Sequence, residues 1–243
     1  MNRIWVCRLG AIGLLTLFLA TQGFAESEKC RTAAACNSIG TKALKNGKVD
    51  EAIAIFRNEV FLAETSEASN EVILLAYNNL ALAHMRKGED LFALAWTRLA
   101  LEMDGKNNAA LYHRKVLDEK LMAVDQGEKL GLKGIYKSYA GFGSWNILEI
   151  SEVTRDSFHF WLHALLMGRS IPFEGEIEGV AALSEREAVH VKANRHTEID
   201  SRSCKIRMRF LDMAVKVDQE GDSNDCEFGV GVDASGDYWK VSN

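Results

Sequence analysis

YNNLALAHMRKGEDLFALAWTRLALEMD, residues 77–104, decides the architecture of the N-terminal half of this chain. Apolar residues recur three and four positions apart on both sides of Lys87-Gly88-Glu89, and a glycine at such a break suits a left-handed helix cap. The stretch therefore predicts a helical hairpin, a scaffold with no chemistry of its own. Working outward, residues 37–60 (NSIGTKALKNGKVDEAIAIFRNEV) repeat the form. Ile39, Ala43 and Leu44 precede a break at Asn46-Gly47, and Ala52, Ile53, Phe56 and Val60 follow it. Placing Gly47 on Gly88 also aligns Ile39 with Leu80, Leu44 with Met85 and Ala52 with Ala93, which makes an internal repeat spaced by 41 residues. A further helix is expected at residues 107–124, where Leu111, Val116, Leu117 and Leu121 continue the apolar stripe.

These residues resemble the tetratricopeptide-repeat family, whose units are helical pairs with small residues at tight crossings. Gly40, Gly47, Ala52 and Phe56 carry the likeness in the first unit. Tyr77, Leu80, Ala81, Gly88, Ala93 and Ala100 carry it in the second, and the resemblance spans residues 37–121. The length beyond the family's 34-residue unit falls at residues 64–70, read as an enlarged loop or a helix extension. The resemblance implies a peptide-binding groove lined by the first helix of each pair. Asn37, Thr41, Lys45, Asn78, Asn79, Leu82, Met85, Arg86, Tyr112, His113 and Val116 then lie on its inner face. Asn79 falls where some family members hold a peptide carboxylate, while the partner lysine position is Asn37. Repeats of this kind need about three units to bury their faces. The two and a half here must lean on the C-terminal domain or on a second copy of the chain.

The first 25 residues hold two arginines, an apolar run over residues 9–20 and a small-residue context at Gly23-Phe24-Ala25, the form of a cleaved secretory signal peptide. That run falls short of the roughly 20 residues that span a bilayer, so no stable membrane span is expected after cleavage. Loss of Arg3 and Arg8 takes the formal net charge from −5 to −7, which disfavours nucleic acid as a partner. Four cysteines remain, an even number suited to an oxidising compartment, and periplasmic or secreted localisation follows. Pairing within each unit, Cys30 with Cys36 and Cys204 with Cys226, is the economical choice of three; neither spacing suits zinc.

After residue 126 the texture changes. Alternating apolar residues at 145–150, 158–162, 176–180, 189–191 and 204–210, with frequent glycines, predict about eight short strands in residues 134–243. An antiparallel barrel is preferred over a sandwich, making the whole an α+β protein with a helical domain at 26–126 and a β domain at 134–243. Cys226 is placed on a strand beside that of Cys204, a staple contributing roughly 3 kcal/mol by loop closure. Gly134-x-Tyr136, the 204–210 alternation and Gly236-x-Tyr238 resemble small β domains of exported bacterial proteins, some of which accompany lysozyme-inhibitor-like modules.

Spacing excludes several chemistries. His159 and His163 have helical zinc-ligand spacing, but in a strand four steps separate them by about 13 Å, so they are read as flanking Trp161 on one sheet face. Residues 141–144 (GFGS) lack the endings of a phosphate loop or a nucleophile elbow and are read as a turn. Glu174, Glu176 and Glu178 are read as a solvated strand face. Trp145, Trp161, Tyr238 and Trp239 are read as an exposed aromatic set and the best candidate for ligand contact, with core packing the expected role for at least two of them. No catalytic residue, metal or cofactor is expected. The chain is read as a non-enzymatic binding or scaffold protein for a protein or peptide in the cell envelope. The alternative is a β-domain binder of a glycan, a lipid or a host enzyme.

Overall fold

A computed structural model describes residues 30–125, 131–167, 172–193 and 203–243; the expected signal peptide lies outside these residues. Five helices come first: α1 (Ala33–Lys45), α2 (Val49–Thr65), α3 (Asn70–Lys87), α4 (Asp90–Met103) and α5 (Asn108–Asp125). Thr32 opens α1 by accepting from the Ala35 N–H at 3.2 Å. The two predicted breaks close in the same way. Gly47 (φ 76°) and Gly88 (φ 83°) take left-handed conformations. The amides that follow, Lys48 and Glu89, return to the carbonyls of Ala43 and His84, both at 3.0 Å. Each break is thus a Schellman motif, which satisfies carbonyls that the helix end leaves orphaned. The extra length of the first repeat is taken up by α2 running to Thr65, leaving a short connection to α3.

Eight strands follow: β1 (Gly134–Gly141), β2 (Ser144–Ser151), β3 (Ser157–Leu166), β4 (Phe173–Ser184), β5 (Glu187–Ala193), β6 (Ser203–Phe210), β7 (Ala214–Glu220) and β8 (Gly236–Ser242). They pair in sequence order, and antiparallel pairing of β1 with β8 closes the barrel. Alternation sorts the side chains. On β3, Phe158, Phe160, Leu162 and Ala164 point into the barrel core, while His159, Trp161 and His163 point out. The interior is filled by side chains from every strand, with Met208, Val217 and Tyr238 among them, so it is a packed core.

Both disulfides form as paired above, with Cα–Cα distances of 5.0 Å for Cys30–Cys36 and 4.8 Å for Cys204–Cys226. They mark a chain that matures outside the reducing cytoplasm. One expectation is corrected: Cys226 lies in the turn-rich connection between β7 and β8, off any strand. That connection crosses one end of the barrel and buries Phe228, Val232 and Ala234 in its core. Gly175 on β4 makes the room, since a Cβ there would lie 2.5 Å from the Phe228 ring. The bridge ties β6 to this plug. Among the described residues no helix is long and apolar enough to cross a membrane.

The barrel is docked on the helices through its outer surface. One hydrophobic cluster holds the helical core together with Trp145, Val241, Ile135, Tyr139 and Trp239 from β1, β2 and β8.

Candidate functional site

The expected inner face is only partly a surface. Asn78 is buried, and its Nδ2 donates to the Leu74 carbonyl at 2.8 Å and to Asn107 Oδ1 at 3.1 Å. Asn107 Oδ1 also accepts from the Ala110 N–H at 3.0 Å, so Asn78 braces the start of α5. His113 is likewise buried, and burial lowers its pKa by disfavouring the imidazolium. Neither side chain is presented to a partner. Both stand where α5 crosses the preceding pair, and helical periodicity cannot separate a face covered by a neighbouring helix from an open one.

Asn79 is half-buried and already engaged. Its Nδ2 donates to Asn37 Oδ1 at 3.0 Å and to both Glu59 carboxylate oxygens at 3.1 and 3.3 Å. The two positions compared above with a carboxylate clamp therefore bond each other and a carboxylate of the chain itself. Glu59 is 1% exposed, and its pKa is pushed up to about 7 by burial, which outweighs the donation from Asn79. Leu82 and Met85 are half-buried, Met85 packing against Ala93, Leu94 and Leu117. Arg86 is exposed, and Tyr112 is 65% exposed.

The aromatic set divides by environment. Tyr238 is fully buried in the barrel, its hydroxyl donating to the Ala234 carbonyl at 2.9 Å; burial raises its pKa. Trp145 is buried too, but between the units, edge-to-face with Trp96 (4.9 Å), Tyr139 (5.0 Å) and Phe92 (5.5 Å). Trp239 joins it at 6.3 Å. Core packing, expected for at least two of the four, is found for Trp145 and Tyr238, whose exposure is thereby corrected; the outer barrel surface that carries Trp145 is the one the helices cover.

Trp161 alone faces outward away from the helices. It stacks on His163 with rings 5.6 Å apart and 3° from parallel. Its Nε1 donates to Glu176 at 3.2 Å, while His159 and His163 lie 3.1 and 3.3 Å from Glu178 and Glu174. The two histidines do flank Trp161 on one face, and each glutamate that repulsion would penalise has a cross-strand partner. Among the described residues no group of histidine, cysteine or carboxylate side chains could hold a metal ion.

Glu64, on the last turn of α2, was not singled out by the sequence. It accepts from Tyr77 Oη at 2.8 Å and also from Tyr139 Oη and the Phe142 N–H. The residues read as a turn, 141–144, form the β1–β2 hairpin tip. Phe142 (φ 52°) and Gly143 (φ 73°) both have positive φ, a type I′ turn, and the tip sits on α2 beside Val60. Partners 75 and more residues apart leave no local signal of such a tether. No protein-family model, curated protein or solved structure matches the chain.

Proposed function

We propose that the chain is an exported, periplasmic or secreted protein that binds a protein or peptide partner through its tetratricopeptide-like helices and performs no catalysis itself. The observation that carries this reading is the mode of docking. The barrel meets the helices mainly through α2 and α4, by way of Val60, Glu64, Phe92 and Trp96, with lesser contacts from Tyr139 to Tyr77 of α3 and from Met213 to the cluster of Leu117 on α5, and leaves Lys45, Arg86 and Tyr112 exposed on α1, α3 and α5. First helices in such repeats line the groove, so a platform that covers the second helices favours a partner on the first. Burial of Asn78 and His113, and engagement of Asn79, narrow the contact set to Leu82, Met85, Arg86 and Tyr112.

Selection of peptides from a display library on the immobilised full-length chain tests the reading. Selected peptides should lose binding to R86A and Y112A, two surface variants that keep the wild-type Tm. Peptides indifferent to both changes, or an empty selection, reject it.

A second reading, a β-domain binder, rests on Trp161 and its stacked His163. The filled barrel interior turns that reading toward a glycan or protein on the outer face of β3 and β4, and away from an enclosed lipid.

A further inference from the structure

Where the two units meet lies a cavity of about 450 Å³, open to solvent. Its walls include apolar side chains from both sides of the seam: Ile53 of α2, Phe92 of α4, Ile135 of β1 and Val241 of β8. Three cations and two carboxylates also line it, and they are unequally engaged. Lys87 Nζ lies 3.1 Å from Asp50 and 2.8 Å from Glu89. The other Glu89 oxygen lies 2.6 Å from Nδ1 of His84, a side chain only 2% exposed. Both acids are therefore committed.

Arg57 and Lys137 also line the cavity, and neither has a carboxylate within 4.0 Å among the described residues. Lys137 is half-buried, its ammonium 4.5 Å over the Phe92 ring. Burial and then the Arg57 charge lower its pKa, with Glu89 offsetting only part. Two cations converging on a partly dry cavity disfavour each other, and an anion between them removes that cost.

We propose that this seam is a binding site for an organic carboxylate with an apolar body. The carboxylate meets Arg57 and Lys137, and the body lies on Ile53, Phe92, Ile135 and Val241. The volume falls within the range of small-molecule sites, about 300–1,000 Å³. The apolar wall distinguishes such a ligand from an inorganic anion, which would leave it uncovered. Two sources share the chemistry: a free small acid, and a chain end whose last residue is apolar. The site lies between α2, the last turn of α3, the start of α4 and the barrel, includes neither Arg86 nor Tyr112, and is independent of the peptide-binding reading above.

The experiment is ligand-dependent thermal unfolding of the full-length chain at fixed ionic strength, with 4-phenylbutyrate, 4-phenylbutanol and inorganic phosphate as probes. The acid should raise Tm saturably, because the folded chain alone presents walls from both units. The alcohol and phosphate should not. R57Q and K137Q should each weaken the acid roughly tenfold or more, the loss of one charged contact, and K216Q on the outer face of β7 should leave it unchanged. R57Q changes an exposed residue and carries the test should K137Q fail to fold. A tripeptide Ala-Ala-Phe with a free terminus, set against its amide, separates the sources: binding of the free peptide points to a chain end, and binding of phenylbutyrate alone to a small acid. Equal shifts by acid and alcohol, equal shifts by acid and phosphate, undiminished binding to R57Q, binding of the amide as tight as that of the free peptide where both bind, or no shift with any probe each overturn the proposal.

Discussion

Two glutamates on α2, five residues apart, have opposite roles. Glu59 is enclosed by helices with a neutral donor for company, so its charge has little to offset desolvation. Its folded pKa, about 7, lies above the ordinary 4.5, so the folded chain holds the extra proton between those values. Stability therefore falls as pH rises from about 4.5 through about 7, and the whole effect is worth about 3 kcal/mol. Glu59→Gln keeps the shape and an acceptor for Asn79. It should flatten this part of the pH–stability curve and raise Tm at pH 8, as followed by circular dichroism melts; a steeper or unchanged curve would contradict the assignment. Glu64 instead gathers three donors, two of them from the barrel hairpin. Hydrogen bonds to a charged acceptor contribute roughly 1.5–3 kcal/mol each when buried. Glu64 is only half-buried, so Glu64→Ala should cost about 2–3 kcal/mol, and Tyr139→Phe, which removes one of its donors and the acceptor of the Gly143 N–H at 2.9 Å, somewhat less, about 1–2 kcal/mol. Urea unfolding midpoints of the two variants decide the order.

At the scale of elements, packing at the α1–α2 crossing shows how the two repeat units differ. A Cβ at Gly40 would meet the Phe56 ring at 2.5 Å, and Phe56 is fully buried. One repeat further on, the same two positions hold Ala81 and Thr97, so a larger residue on one helix comes with a smaller one on the other. Gly40→Ala should therefore destabilise by about 1–3 kcal/mol through overpacking. Gly40→Ala with Phe56→Leu should cost less than the two single changes summed, a coupling that a double-mutant cycle on chemical unfolding measures. The same crossings explain what could be read from sequence. Gly47 and Gly88 announced helix ends because a Schellman motif is built within six residues, and Phe158, Phe160 and Leu162 announced a strand because alternation is local. The burial of Asn78 and Trp145 is not legible in this way, because burial of one element's outer face depends on which other element lands there. Alternation of Phe228, Val230 and Val232 with glycines reads as a strand that includes Cys226, yet the segment folds across the barrel end, where Gly229 donates to the Glu174 carbonyl at 3.1 Å.

Over the whole molecule, the barrel keeps an interior of its own while the helical core runs on into the seam as one cluster, and Trp145 joins the two sides there. The ring meets aromatic partners from α4 (Phe92, Trp96), β1 (Tyr139) and β8 (Trp239). Phe92 and Trp96 of α4 would stand uncovered without the barrel, and a closed barrel has no free edge to offer, so the units unite chiefly by side-chain packing between faces, with Glu64 adding hydrogen bonds to the β1–β2 hairpin. Wild-type chain should consequently unfold in one calorimetric transition, because separating the units exposes this cluster to water. Truncating a buried tryptophan typically costs about 3–5 kcal/mol. In Trp145→Ala that loss falls on the seam and spares the barrel core, where Leu148 and Ile150 of the same strand remain. The variant should therefore resolve into two transitions, with the helices melting first, since they alone lack a complete core without the barrel. Ile177→Ala, a change inside the barrel, should lower Tm while keeping a single transition. Scanning calorimetry of the pair separates a shared seam from two independent domains: a single, merely weakened transition in Trp145→Ala would mean that other contacts couple the units.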